Sequence, residues 1–240
     1  MYKILRRKQL NDTVVRLDVE APFIAKKAKA GQFIILRIDE RGERMPLTIA
    51  DTNAEEGSVS GGGVGNAIAY PSAKALFNMG VDVDVIAGFR SKDIVILEDE
   101  YKEVCNRLFI TTDDGTYGEK GFVTNKLQDL IDAGNNYDLV IAIGPIPMMK
   151  FVSKVTEPYN IKTLVSLNPI MIDGTGMCGG CRVTVGGEIT FACVDGPDFD
   201  GHQVDYDELM KRNSTYREFE AHDRENCRMY KAADEMGGAK

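Results

Sequence analysis

The chain has 240 residues, of which 43% are hydrophobic and 28% charged, the balance of a soluble globular protein with one large domain or two small ones. Its formal net charge of −8 excludes nucleic acid as an expected partner, because phosphates attract a basic surface. No apolar run reaches the roughly 18 residues of a transmembrane span, and the charged N-terminus lacks the apolar core of a signal peptide. We therefore expect no membrane contact and a cytoplasmic protein whose cysteines are thiols or ligands.

The first quarter of the chain predicts an antiparallel β-barrel. Four segments alternate between apolar and polar residues as half-buried strands do, with Pro22 and Gly31 as breaks. They cover residues 2–8, 13–20, 32–38 and 44–50. Residues 51–60 are predicted to be a polar turn with a strand barely begun. Four strands are too few to close a barrel, so the barrel is expected to be incomplete.

A segment is missing before the glycine run Gly61–Gly65. Such a run normally follows a buried strand and opens a helix, yet no apolar stretch precedes Gly61. Either the protein lacks the segment, or the sequence joins two pieces of a longer chain between Ser60 and Gly61. An unclosed barrel would expose apolar strand faces, which favours the second explanation. Bonded residues have Cα atoms about 3.8 Å apart, so a continuous backbone between Ser60 and Gly61 would contradict the explanation that two pieces are joined there.

The middle of the chain alternates helices with strands, which predicts βαβ units on one parallel sheet. The predicted helices cover residues 66–79, 94–101, 124–133 and 147–156, and the strands 81–88, 107–112, 139–144 and 163–167. Glycine-containing turns end several strands at one sheet edge, where open α/β sheets bind ligands. The glycine run alone is weak evidence, because a tight turn explains it equally well. The candidate cofactor-binding residues here are Gly62, Gly63, Val64, Gly65, Asp114, Gly144, Pro145 and Met148.

A cysteine loop carries the most specific motif. Asp173, Cys178, Cys181 and Cys193 follow the spacing of a plant-type [2Fe–2S] loop, with aspartate in the first position. The glycines between them allow close approach of the backbone to a cluster. A redox dithiol, a zinc site and buried inert thiols remain alternatives. Asp173 is either the fourth ligand or a residue that caps backbone N–H groups.

The remaining titratable residues indicate no catalytic dyad or triad, and no catalytic residue is predicted. His202 and His222 are interpreted as surface or packing residues, and Cys105 and Cys227 as thiols. Arg90 could meet a 2′-phosphate, which leaves the choice between NADH and NADPH open. Residues 205–234 are predicted to be a charged helix. Its docking face would consist of Tyr216, Phe219, Cys227 and Tyr230.

Taken together, Gly61–Gly65, Thr112–Gly118, Gly144–Met149 and the cysteine loop resemble the ferredoxin reductase-type electron-transfer subunits. The resemblance covers essentially the whole chain. It is greatest to the small subunits of NADH-dependent ferredoxin:NADP⁺ oxidoreductase, also described as sulfide dehydrogenase subunit-like. The electron-transfer subunit of dihydroorotate dehydrogenase is a near relative with a fourth cysteine in place of Asp173.

The resemblance implies three cofactor regions and a tail. These are an FAD-binding barrel over residues 1–60, incomplete here, an NAD-binding α/β domain over 61–170, a [2Fe–2S] lobe over 171–204 and a helical tail over 205–240. The residues that match the flavin-contacting strand are Arg44, Pro46, Leu47 and Thr48, with Arg44 as the phosphate partner. If the missing segment is truly absent, FAD retention is in doubt.

The implied activity is that of an NAD(P)H-dependent flavin and iron–sulfur oxidoreductase subunit. Electrons would pass between NAD(H), FAD and a [2Fe–2S] cluster. A larger partner subunit with another flavin and [4Fe–4S] clusters is implied, together with electron bifurcation and an indirect role for ferredoxin. The alternatives are an electron-transfer subunit of dihydroorotate dehydrogenase and a non-catalytic, zinc-stabilised interaction module.

Overall fold

The structure is a computed structural model that describes residues 2–37, 39–40, 42, 44–62 and 64–226. The first half begins with an antiparallel sheet in the order β1-β2-β5-β4-β3. Its strands are β1 (Ile4–Gln9), β2 (Val15–Glu20), β3 (Phe33–Leu36), β4 (Met45–Asn53) and β5 (Ser58–Gly62), with the short helix α1 (Pro22–Ala25) after β2. Because β1 and β3 are edge strands that do not pair with each other, the sheet stays open. The prediction that the barrel is not closed is confirmed.

The chain continues directly from Ser60 to Gly61, and the expected loss of a segment at this point stays a prediction. Both residues lie in β5, where Ser60 pairs with Asp51 and Gly61 with Ile49. The polar turn and the start of a strand predicted over residues 51–60 are present, although β4 extends to Asn53 and β5 continues to Gly62. The full length of β5 was not predicted, because its buried positions include two serines and one valine rather than an apolar run. Gly61 and Gly62 allow the close packing, since a Cβ on either would lie 3.1 Å from Leu47 or Ala67.

The second half contains the predicted alternation of helices and strands. Its elements are α2 (Gly65–Asn78), β6 (Asp84–Phe89), α3 (Glu98–Lys102), β7 (Arg107–Thr112), β8 (Glu119–Lys120), α4 (Val123–Asp132), β9 (Leu139–Ala142), α5 (Ile146–Thr156) and β10 (Lys162–Ser166). After these come β11 (Arg182–Val185), β12 (Glu188–Phe191), β13 (Asp198–Asp200), α6 (Tyr206–Asn213) and α7 (Arg217–Asn226). Strands β11 and β12 form an antiparallel hairpin after the cysteine loop.

The predicted single parallel sheet is divided into two. Strands β6, β7 and β8 form one parallel sheet, and β9 and β10 form another, extended by the antiparallel strand β13. In a doubly wound sheet the strand before the glycine turn lies at the centre. Here that strand is β5, which belongs to the antiparallel sheet instead. No ladder joins β6 to β9 in the described part of the chain, although Tyr137 Oη donates to Asp84 Oδ2 at 2.8 Å beside the starts of both strands.

The main hydrophobic core lies around β9 and β10, with α5 packed against these strands and α4 and α6 packed against α5. Met149 of α5 and Val165 of β10 have no exposed surface. Helix α5 follows Pro145, which begins the helix without giving up a hydrogen bond. This core fixes the carboxyl end of β9, where one of the predicted cofactor turns lies.

The predicted C-terminal helix is interrupted. Ser214 ends α6, and its Oγ donates to Lys211 O, which competes with the helical pattern. Tyr216 and Phe219, in the following segment, are 51% and 69% exposed. Cys227 and Tyr230 of the predicted docking face lie outside the described residues. Among the residues that the structure describes, no helix has the length and apolarity that crossing a membrane requires.

Replacing Met149 by alanine should lower the free energy of unfolding by about 2–5 kcal/mol, because the cavity left in a fully buried site collapses only in part. Urea denaturation measures the change. Met79→Ala is the matched control, since this side chain is 76% exposed and its loss should change stability by no more than about 0.5 kcal/mol. Equal losses in the two variants would contradict the placement of the core.

A charged cluster on the open sheet makes stability depend on pH. Asp18 is 6% exposed and accepts hydrogen bonds from Arg6 Nε and Arg16 Nε, both at 2.8 Å. Burial alone would raise the pKa of this carboxyl, but the hydrogen bonds from Arg16 and Arg6 lower it below its usual value. The folded protein therefore takes up this proton less readily than the unfolded chain does.

The stability that Asp18 contributes should be complete above its unfolded pKa of about 3.9 and lost as the pH falls through the lower folded value. At about pH 7, Asp18→Asn should therefore be less stable than the parent. When the pH falls to about 3, the variant should lose less additional stability than the parent does. Urea midpoints at both pH values measure this. The exposed Asp12→Asn variant should keep the parent's full acid dependence, and identical profiles for all three proteins would contradict the assignment.

Candidate cofactor sites

Asp173 caps the cysteine loop. Its Oδ1 accepts the N–H of Thr175 at 2.7 Å, and its Oδ2 accepts the N–H of Cys178 at 2.9 Å. The hydrogen bond from the Thr175 backbone, with that from Cys178, lowers the pKa of this carboxyl. Asp173 therefore stays ionised and fixes the loop around the first cysteine, the capping role that the sequence left open.

The loop directs backbone N–H groups at its sulfur atoms. Gly180 N lies 3.4 Å from Cys178 Sγ, and Cys193 N lies 3.4 Å from Cys181 Sγ. Burial and the neighbouring Cys181 thiol raise the pKa of Cys193 to about 11. Cys181 is buried, Cys193 half-buried and Cys178 exposed. Two of the predicted sulfur ligands thus lie side by side, and the third lies at the surface.

The structure does not assemble all four predicted ligands around one point. In residues 2–226, the gaps aside, no three Cys, His, Asp or Glu side chains converge as a metal-binding group. The pairing of Cys181 with Cys193 and the capping of Cys178 by Asp173 are separate contacts. The ligand set Asp173, Cys178, Cys181 and Cys193 therefore stays a prediction.

The cysteine loop lies against the strands that carry the predicted flavin contacts. Gly174 has a φ of +75°, and a Cβ there would lie 2.9 Å from Ile35 Cγ1 of β3, so only glycine fits. Arg44, which precedes β4, donates from Nη2 to Asp173 O at 3.0 Å. The predicted phosphate partner therefore contacts the cysteine loop. Sequence reasoning missed this contact, because the two residues are far apart in the chain.

The other predicted flavin contacts lie on β4. Pro46 is exposed, whereas Leu47 and Thr48 are half-buried. Thr48 pairs with Phe33 of β3 and with Gly62 of β5, so its backbone is held from both sides. These residues thus lie beside the glycine run, on a strand that the open sheet holds rigidly.

The glycine run and the turn after β9 meet, as predicted. A Cβ on Gly65 would lie 3.1 Å from Ile143 O and 3.5 Å from Gly144 Cα. Asn66 Nδ2 donates to Gly88 O at 3.3 Å, so the start of α2 lies between the carboxyl ends of β6 and β9. Val64 is extended and no side chain caps the helix. Gly63 lies outside the described residues.

Asp114 and Pro145 lie on the turns after β7 and β9, and Met148 lies in the first turn of α5. Asp114 Oδ1 accepts hydrogen bonds from the Oγ1 and N–H of Thr116, which lower the pKa of the carboxyl. Met148 folds over Gly144, where its methyl group would meet an added Cβ at 2.5 Å. Pro145 is exposed and precedes α5. The uncapped N–H groups of α2 and these turns can receive the phosphates of a dinucleotide.

The histidines take no part in these sites. His202 Nε2 lies 2.9 Å from Thr156 Oγ1, which in turn accepts a hydrogen bond from Thr163 at 2.6 Å. This buried polar chain confirms a packing role for His202. His222 is exposed on α7. Burial raises the pKa of the Cys105 thiol, which agrees with an inert cysteine.

Comparison with known proteins agrees with the geometry. The family described as the iron–sulfur cluster binding domain of dihydroorotate dehydrogenase B matches residues 168–205. A dihydroorotate dehydrogenase B (NAD(+)) electron transfer subunit homolog of Thermotoga maritima is 39% identical over 92% of this chain and 93% of its own length. The chain belongs to the family of these electron-transfer subunits. An uncharacterized Clostridium beijerinckii protein is 44% identical over 90% and 91% of the two chains.

This electron-transfer subunit is also similar to a solved structure. That structure, reported as giving insights into flavin-based electron bifurcation via NADH-dependent reduced ferredoxin-NADP oxidoreductase, has a TM-score of 0.86 and 38% identity over 94% and 97% of the two chains. An Amycolatopsis cytochrome P450 reductase, 15% identical with a TM-score of 0.50, shares the fold. The predictions of an oxidoreductase subunit, of electron transfer, and of flavin, nicotinamide and [2Fe–2S] cofactors are confirmed at the level of the family.

The relatives also bear on the missing segment. Their alignments with this electron-transfer subunit extend over 269 and 264 residues, more than the 240 residues of the chain itself. The relatives therefore contain residues with no counterpart here. This agrees with the open sheet and with the unpaired edges of β6 and β9.

Gly65→Ala should raise the Kd for NADH about tenfold, a loss of roughly 1.4 kcal/mol, because the added methyl group separates the start of α2 from the Gly144 turn. Isothermal titration calorimetry measures the change. Gly80→Ala, at the other end of α2, is the control: its φ of +79° makes the substitution cost some stability, but nothing lies within 4 Å of the added Cβ, so the NADH affinity of the folded variant should be unchanged. A parallel fall in affinity in both variants would contradict a binding site at the start of the helix.

Proposed function

We propose that this chain is the electron-transfer subunit of an electron-bifurcating NADH-dependent ferredoxin:NADP⁺ oxidoreductase. It would relay electrons between NAD(H), FAD and a [2Fe–2S] cluster. One observation carries the proposal: a glycine-rich loop with paired cysteines lies against the strand of the predicted flavin site. The similarity to the bifurcating oxidoreductase structure and the aspartate at position 173 support this branch.

The cysteine loop fits a [2Fe–2S] cluster by its donors. Cys178, Cys181 and Cys193 offer three sulfur atoms, of which two already receive backbone N–H groups. Asp173 uses one hydrogen bond on each oxygen, and an ionised carboxylate has about four lone-pair sites, so it keeps capacity for iron. In the proposal these four residues hold the cluster.

Each region of the chain has one task in the proposal. Residues 61–170 bind NAD(H) at the start of α2 and at the Gly144 turn, and residues 1–60 hold the flavin along β4. Residues 171–204 hold the cluster, and residues 205–240 support that lobe. When bound, the cofactors supply hydride and single-electron chemistry, whereas the chain orients them and fixes the distances between them.

The name of the relatives implies a catalytic partner, since an electron-transfer subunit works within a larger complex. We infer that this partner is the larger subunit with a second flavin and [4Fe–4S] clusters, through which ferredoxin is reached. A cytoplasmic location is part of the proposal, because the four described cysteines are all free thiols.

Anaerobically purified protein should contain about two irons and two acid-labile sulfides per chain and show visible absorbance that NADH bleaches when FAD is present. Because the antiparallel sheet is open, the ratio of FAD to protein should be lower than the ratio of cluster to protein. Colourless protein that contains zinc and no iron would contradict the proposal and favour the zinc-stabilised module.

Asp173→Cys should change the visible spectrum and lower the reduction potential of the cluster, because a thiolate donates more charge to iron than a carboxylate does. Spectra and a potentiometric titration measure both quantities. The control is Asp195→Asn, a carboxylate of the same lobe that accepts the N–H of Phe191. An unchanged spectrum and potential in Asp173→Cys would show that Asp173 never contacts iron and acts only as a cap.

A dihydroorotate dehydrogenase electron-transfer subunit is the second candidate, because the matching family and several relatives have that name. Co-purification from the native source distinguishes the two. An FMN-containing dehydrogenase as the partner would favour the second candidate, and a flavin and [4Fe–4S] protein the first.

A further inference from the structure

Two arginines from distant parts of the fold contact the backbone of the cysteine loop, residues 173–181. Arg44 Nη2 donates to Asp173 O at 3.0 Å, and Arg212 Nη2 donates to Gly180 O at 3.2 Å. We propose that Arg44 and Arg212 are positioning residues that hold the two ends of this loop, and that Arg44 fixes it to the strands of the flavin site. The inference rests on the proposed function.

The Arg44 contact joins the loop to the antiparallel sheet. The residue after Arg44, Met45, pairs with Leu36 of β3. Ile35 of the same strand lies so close to Gly174 that a Cβ there would lie 2.9 Å from it. Two neighbouring residues of the loop, Asp173 and Gly174, are therefore attached to two paired strands, which restricts motion of the loop relative to β4.

The Arg212 contact joins the other end of the loop to helix α6. This helix is itself fixed, because Leu209 is 1% exposed in the main core and Asn213 Nδ2 donates to Asn168 O at 3.2 Å. Glu208 accepts a hydrogen bond from Thr184 of β11 at 2.5 Å. Arg212 thus extends from a rigid element, and its planar donors suit a backbone carbonyl.

The two guanidinium groups also place positive charge beside a negatively charged ligand set. Arginine stays ionised at all ordinary pH values. A nearby cation stabilises the reduced, more negative form of a cluster, so each arginine should raise the reduction potential. Residues that orient ligands in this way typically change metal affinity about 10- to 100-fold when they are replaced.

The test uses Arg44→Gln and Arg212→Gln, with Arg44→Lys and Arg212→Lys to keep the charge. Arg7→Gln is the matched control, because it removes the same charge from the opposite edge strand β1, where Arg7 contacts Gln9. Three quantities are measured: the cluster potential, iron loss to a chelator, and hydrogen exchange of the loop amides in iron-free protein.

We expect both glutamine variants to show a more negative potential, iron affinity lower by about 10- to 100-fold and faster exchange over residues 173–181. The lysine variants should regain most of the potential, and Arg7→Gln should match the parent throughout. A purely structural role would leave the potential of correctly folded variants unchanged.

The two proposals fail in distinguishable ways. If the parent protein never takes up iron, the proposed function fails, and the exchange measurement still tests the loop contacts. If the parent holds a cluster while both glutamine variants equal it in potential and exchange, the role of the arginines is overturned. Should a glutamine variant fail to fold, the lysine variant at the same position gives the comparison of exchange rates.

Discussion

The arrangement depends on the close approach between Gly174 and Ile35. There the backbone of the cysteine loop comes so near the antiparallel sheet that no side chain fits between them. Asp173 on one side of this contact caps the next turn, and its carbonyl binds Arg44. The cysteine loop and the antiparallel sheet, which are remote in sequence, are thereby held in a fixed relative position. In the proposed function, electron transfer between a flavin on β4 and a cluster in the loop would need such a fixed separation.

A second constraint is the position of β5. In a doubly wound fold the strand before the glycine turn belongs to the parallel sheet. Here β5 pairs with β2 and β4, and the turn that follows still brings α2 to the carboxyl ends of β6 and β9. The edge that we propose binds the dinucleotide is thus formed by turns from both parallel sheets, although no ladder joins β6 to β9 among the described residues.

Sequence reasoning was most successful where local chemistry decides the structure. The cysteine spacing follows from a motif and the strand before Gly144 from an apolar run, and the structure has this strand, β9, where it was predicted. The full extent of strand β5 was not predicted, because Ser58 and Ser60 are buried by neighbours rather than by their own hydrophobicity. Strand β13 and the Arg212 contact were missed because they exist only through tertiary pairing. The convergence of all four predicted ligands follows neither from the sequence pattern nor from the described part of the structure.

The edges of β6 and β9 have one more consequence. Leu139–Ala142 contains no charged residue or proline, and Ile141 is 36% exposed. Natural sheets usually protect such borders with lysine, proline or a bulge, since bare peptide groups recruit other chains. We therefore expect these edges to pair with strands of neighbouring chains as the protein concentration rises.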